Sequence, residues 1–302
     1  MSHGHGHGPP ADQRGRLGLV LALSLVVLVV ELVGAVVTGS LALLADAGHM
    51  LSDVAGLGMA FTAATLVRRP ATDRRTWGFR RAEILAAAAQ AALLLVVGLW
   101  VLVQGVERLL DPPSVGSGGM LLFGVVGLVA NLVAIGVLLR GRGASLNTRA
   151  AFLEVVNDAL GSIAVVIAAL VIARWGWDRA DAVASLLIAG LILPRTLLLL
   201  RESVEVLMES TPAGLDLADV RARVLALDHV VEVHDLHASQ VATGLPTLTA
   251  HVVLDERCFH SGHSAELLDQ VQACLVDDFD IAHSTIQFEA PHHVEHEQRG
   301  HP

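Results

Sequence analysis

Apolar residues collect in six long runs, at about 16–38, 40–66, 83–109, 118–140, 149–173 and 180–200. Each approaches or exceeds the roughly 20 residues that a helix needs to cross a bilayer. The pattern therefore predicts six membrane-spanning helices. The first run has no short apolar core ending in a small-residue cleavage site, so it is expected to stay as a span rather than be removed as a signal peptide. Gly and Ser inside several runs suit close helix packing. Beyond Arg201 the period changes. An amphipathic helix is expected at about 216–227, strands at about 229–240 and 246–255 around a turn with Gly244 and Pro246, a second helix at about 262–278, and a last strand from Ser284 to Phe288.

Helix, strand, strand, helix, strand fits a small α+β domain of the ferredoxin-like kind. The expected fold is thus an α-helical integral membrane protein with a C-terminal α+β ferredoxin-like cytoplasmic domain. It divides into a His-rich tail (1–15), a six-helix transmembrane domain (16–202), a cytoplasmic metal-binding domain (203–290) and a second His-rich, disordered tail (291–302). His3, His5 and His7 in the first tail, and His292, His293, His296 and His301 in the second, are expected to collect metal weakly.

Composition supports lipid as part of the solvent. Apolar residues make up 53% of the 302-residue chain and charged residues 17%, against about a quarter charged in soluble domains. Lys and Tyr are absent, so every fixed side-chain cation is an arginine. Arg14 and Arg16 precede the first span, Arg68, Arg69, Arg74, Arg75, Arg80 and Arg81 follow the second, and Arg140, Arg142 and Arg149 follow the fourth. The opposite side offers only Arg108, Arg174 and Arg179. This asymmetry places both termini in the cytoplasm of a multi-pass protein, expected in the cell membrane. The net charge of −10 is concentrated after Ser203, which excludes a nucleic-acid binder. Cys258 and Cys274 match no metal-finger or redox spacing and read as packing residues.

Charge within a bilayer is costly and usually faces a partner or a pathway. His49 and Asp53 in the second span, and Glu154 and Asp158 in the fifth, are each four residues apart. That spacing puts both members of a pair on one helix face. Two helices presenting such pairs could surround one ion with four nitrogen or oxygen ligands, whereas the plainer reading makes each pair a helix-end charge near the interface. Asp46 and Asn157 lie beside the ligands, as hydrogen-bond partners that fix ligand geometry or as helix-packing residues. Glu31, Gln90 and Asn131 are further polar residues within spans, for which interhelical hydrogen bonding is expected.

The run Ala45-Asp46-Ala47-Gly48-His49-Met50-Leu51-Ser52-Asp53 resembles the second-helix signature of the cation diffusion facilitator family, and Asp158-Ala159-Leu160-Gly161-Ser162 resembles its fifth-helix signature. The loop from Arg69 to Asp73 and on through Trp77 to Glu83 is similar to that family's loop between helices two and three. Val233 to His237 and His283 to Glu289 are similar to its cytoplasmic strands. The likeness runs from residue 16 to 290. It implies a homodimer in a lipid bilayer that exports a divalent metal ion, zinc first, in exchange for protons, and that is not an enzyme. It implies a transport site of His49, Asp53, Glu154 and Asp158, and regulatory cytoplasmic metal at His234, His251, His283 and Glu289. The chain departs from zinc-selective members at Glu154, where those typically carry His. One imidazole and three carboxylates make a harder site, so cobalt, cadmium, iron and manganese stay open as substrates. The family's loop site is expected to be missing, because residues 67–82 hold no His and only Asp73 as a carboxylate.

Other classes compete less well. A membrane-anchored metal sensor needs no paired ligands in two spans. An intramembrane metallohydrolase lacks an HExxH-type pair with its general base. A carrier of organic solutes would call for an aromatic-lined or broken-helix site.

Overall fold

The computed structural model describes residues 11–139 and 146–293. The first tail up to residue 10, Arg140 and Arg142, and His296 and His301 lie outside the described residues. Six long helices come first: α1 (Ala11–Thr38), α2 (Leu41–Val67), α3 (Ala82–Leu110), α4 (Ser117–Leu139), α5 (Leu146–Trp175) and α6 (Arg179–Leu207). All six are long and apolar enough to cross a membrane. Large apolar side chains point outward on them, Val36 and Val37 being 78% and 71% exposed. Such a surface suits lipid, where burial against water is not the organising force. The sixth helix outruns its apolar stretch by several residues and carries Pro194 in its interior.

The described residues form two compact units, one from residues 11–59 with 89–200 and the other from 60–88 with 201–293. Within the first unit, small residues let helices approach. Gly98 and Gly105 of α3 receive Leu193 and Leu186 of α6, and Gly124 of α4 receives Val165 of α5. A buried cluster including Leu43, Val101, Met120, Val165 and Ile188 joins α2 to α6.

The start of α2 is fixed by an acid from another helix. Gly39, with φ +72°, turns the chain between α1 and α2, a conformation glycine adopts without steric cost. The first amides of α2 have no partner within their own helix. Asp181 of α6 supplies one: its carboxylate accepts from Leu41 N at 2.7 Å, from Ala42 N at 3.1 Å and from the Ser40 hydroxyl at 2.5 Å. Ser40 Oγ in turn accepts from Leu43 N at 3.1 Å. Arg108 Nη1 lies 3.5 Å from Asp181 and donates to the Gly39 carbonyl at 2.7 Å. This cap sits about two turns before His49 and three before Asp53 on the same helix.

The second unit contains α7 (Leu217–Leu225), β1 (Val230–Ala242), β2 (Leu245–Leu254), α8 (Arg257–Ser261), α9 (Ser264–Phe279) and β3 (His283–Glu289). The order and approximate bounds match the sequence expectation, with α8 as an added short helix. The sheet order is β1-β2-β3, with β1 antiparallel to β2 and β3 parallel to β2. Gly244, with φ +71°, makes the tight turn between β1 and β2. One face of the sheet packs on α7 and α9 through Val220, Val224, Leu248, Val252, Leu267, Val271 and Leu275. Cys258 and Cys274 are buried and form no disulfide with each other. Burial, then the nearby Asp278, pushes the Cys274 thiol up, as expected of an inert packing thiol.

Candidate metal sites

The face of α2 predicted from the four-residue spacing is real: His49 Nε2 lies 3.4 Å from Asp53 Oδ2. Asp158 on α5 meets the same imidazole, its Oδ1 3.8 Å from His49 Nε2. One donor atom from each of His49, Asp53 and Asp158 lies within 4.8 Å of the others, a spread compatible with one shared cation. Glu154 is outside this tight trio but lines the same cavity, of about 160 Å³, together with Asp46, Gln90, Asn157 and Arg195. His49 Nδ1 and Asp158 Oδ1 have no hydrogen-bond partner among the described residues. Donors left open in this way fit a ligand that is itself a cation.

Behind the trio is a second polar layer. Asp46 is 2% exposed and presses on α5 at Gly161, where an added Cβ would fall 2.6 Å from Asp46 Oδ1. Only glycine permits that approach. Glu31 of α1 is fully buried, its Oε1 2.6 Å from where a Cβ on Gly127 would lie. Asn131 of α4 donates to Ser162 of α5 at 3.3 Å, so its expected interhelical bond is present. Gln90 faces Gly56 of α2 and reaches the cavity.

Arg195 was not singled out from the sequence. It is one of two charged residues within 180–200, the other being Asp181. An arginine within an apolar run was the signal that could have found it.

A second cluster forms on the sheet. His234 of β1 pairs with His251 of β2 across the antiparallel ladder, and Val253, two positions along β2, pairs with Glu289 of β3. Glu289 Oε2 is 3.3 Å from His234 Nε2, and its Oε1 is 2.7 Å from His251 Nδ1. The two rings stand edge-on at 5.3 Å. Glu289 is 3% exposed, and Gln287 Nε2 donates to its Oε1 at 2.7 Å. Two imidazoles and one fixed carboxylate are a donor set for zinc or a similar divalent ion. The ladder shifts register after His234, where Asp235 has φ +47°, and this turns Asp235 Oδ2 to 3.8 Å from His251.

His283, expected with this cluster, is placed elsewhere. It opens β3 and packs edge-on against Trp77, ring centroids 4.8 Å apart. Six residues of extended strand separate it from Glu289, about 20 Å at the usual rise, so one ion cannot take both.

Six apolar helices, four of which line a carboxylate-imidazole cavity, and an α+β domain with its own ligand cluster fit an integral-membrane carrier of metal cations. The description "Cation efflux transmembrane domain" matches residues 17–208 and "Cation efflux protein, cytoplasmic domain" matches 212–291. The chain belongs to this family, the cation diffusion facilitators, and is a multi-pass membrane transporter for divalent metal efflux with a cytoplasmic C-terminal domain. It is 42% identical over 289 residues to the metal cation efflux system protein CzcD of Cupriavidus metallidurans, covering 96% of this chain and 90% of that one. It is 36% identical to a cadmium, cobalt and zinc/H(+)-K(+) antiporter of Bacillus subtilis, covering 96% and 93%, and 39% identical to the zinc transporter ZitB of Escherichia coli, also covering 96% and 93%. Among solved structures, the metal-bound C-terminal domain of the Cupriavidus CzcD transporter is 41% identical, with a TM-score of 0.23, covering 25% of this chain and 99% of that one.

Proposed function

We propose that this chain exports zinc from the cytoplasm across the cell membrane, working as a homodimer with both termini cytoplasmic and exchanging the metal for protons. His49, Asp53, Glu154 and Asp158 are the transport ligands, with Asp46 and Asn157 holding their geometry. The observation that carries this reading is the convergence of His49, Asp53 and Asp158 donor atoms within 4.8 Å, in a cavity that Glu154 also lines.

Imidazole and carboxylate bind a metal through the lone pairs that also bind protons, so loading releases protons and protonation expels the ion. A site that faces one side and then the other therefore couples metal movement to the proton gradient without further machinery. His234, His251 and Glu289 hold a separate, regulatory divalent ion, supported by their shared reach around the buried Glu289 carboxylate. The division at residue 202 separates transport from this second function.

The test is metal uptake into proteoliposomes with an imposed pH gradient. Zinc flux that follows the gradient and falls at least about tenfold in Asp53→Ala, at unchanged protein level, is expected. Flux indifferent to both would refute the proposal. A second reading rests on Glu154, since oxygen-rich sites suit harder ions. Manganese, cobalt, cadmium or iron flux exceeding that of zinc, shifting toward zinc in Glu154→His, would establish it.

A further inference from the structure

Asp53 and Asp158 converge with the His49 imidazole, and Asp53, His49 and Glu154 line one cavity. When His49 is neutral, as a metal ligand must be, these three carboxylates exceed the charge of one divalent ion by one. An uncompensated charge within a membrane protein is costly and holds its counter-ion too firmly to let it go. Arg195 of α6 lines the same cavity and is the one Lys or Arg among its lining residues. It shares that wall with His49, Asp53 and Glu154. Pro194 precedes it inside α6, and Thr196 next to it donates its hydroxyl back to the Ile192 carbonyl at 3.0 Å. Arg195 therefore projects from a locally modified turn of an otherwise continuous helix.

We propose that Arg195 sets the charge of the transport site: its fixed positive charge offsets the carboxylate of Glu154, so that the site loaded with a divalent ion carries one negative charge fewer and is able to release the ion. The role rests on the four-ligand reading above and deepens it. Arg195 donates no ligand atom to the metal. It tunes affinity from the wall of the cavity, and its guanidinium stays charged at any physiological pH. Asp46 and Glu31, behind the ligands, are common to every variant below and cancel from the comparison.

The experiment measures KM and turnover for zinc in proteoliposomes of the full chain under a fixed pH gradient. Removing one unit charge at roughly 10 Å from a divalent ion, in an effective dielectric of about 20, changes affinity by roughly two to three hundredfold. Arg195→Gln is expected to lower KM and turnover together by about that factor, because the ion binds more firmly and leaves more slowly. Glu154→Gln raises KM by a similar factor. The double variant Glu154→Gln/Arg195→Gln has a KM between those of the two single variants, and Arg195→Lys stays within about threefold of the starting protein. Equal impairment in Arg195→Lys and Arg195→Gln would overturn the proposal in favour of shape, as would a double variant whose losses multiply. An unchanged KM in Arg195→Gln would also overturn it. Flux that survives Asp53→Ala would instead sink the four-ligand site, whatever Arg195 does, so the two failures are distinct.

Discussion

Asp181→Ala removes the acceptor that holds the start of α2. Three donors lose their partner at once: the amides of Leu41 and Ala42 and the hydroxyl of Ser40. Loss of a capping acceptor alone costs about 1 kcal/mol. Asp181 is also the buried half of an ion pair, its side chain 2% exposed, while Arg108 is 25% exposed. Breaking a fully buried pair costs about 3–5 kcal/mol. Arg108 keeps the Gly39 carbonyl and some access to solvent, which moves the combined expectation to about 3 kcal/mol. Asp181→Asn keeps one oxygen for the amides and loses the charge, so about 1 kcal/mol is expected. The assay is the thermal aggregation midpoint of detergent-purified protein. The alanine variant is expected to fall by roughly 6 °C or more and the asparagine variant by about a third of that. Arg108→Ala combined with Asp181→Ala is expected to cost less than the sum, because the two share one interaction. A shift below about 2 °C in Asp181→Ala, or strictly additive losses, would refute the trans-capping argument.

Two further outcomes are expected. Gly161→Ala would place a Cβ 2.6 Å from Asp46 Oδ1, and forcing the helices apart should cost about 1–3 kcal/mol, read as a lower thermal midpoint together with weakened zinc flux. Glu289→Gln removes the charge between His234 and His251; bound zinc per chain, measured by metal analysis after gel filtration, should fall by one, whereas Asp53→Ala should leave that ion in place.

Much of the architecture was legible because each period carries a single physical meaning. Unbroken apolar runs of that length read as spans, and after Arg201 amphipathic and alternating stretches read as helices and strands of a half-buried sheet. The i, i+4 pairs were legible for the same reason: helical geometry alone puts His49 against Asp53. What the chain could not display was proximity between elements. Asp181 reads as an ordinary acid at the start of a helix, yet its partners are 139 to 141 positions away. His283 was grouped with Glu289 because both lie in one short motif, but the extended strand carries them apart. Arg195 reads in the sequence as a single charge in an apolar run, and its cavity exists only once α2, α3, α5 and α6 are assembled.

The Asp181 clamp also constrains how α2 can move. A rod pinned at one end can only swing, and the pivot here lies at Ser40 to Ala42. His49 and Asp53 stand about 12 and 18 Å along the helix from that point. A swing of roughly 10° would carry the imidazole about 2 Å and the carboxylate about 3 Å, more than a coordination bond tolerates. His49 and Asp53 travel unequally while Asp158 follows α5, so a modest rotation is enough to separate these three clustered side chains one from another, Asp53 by the greatest distance.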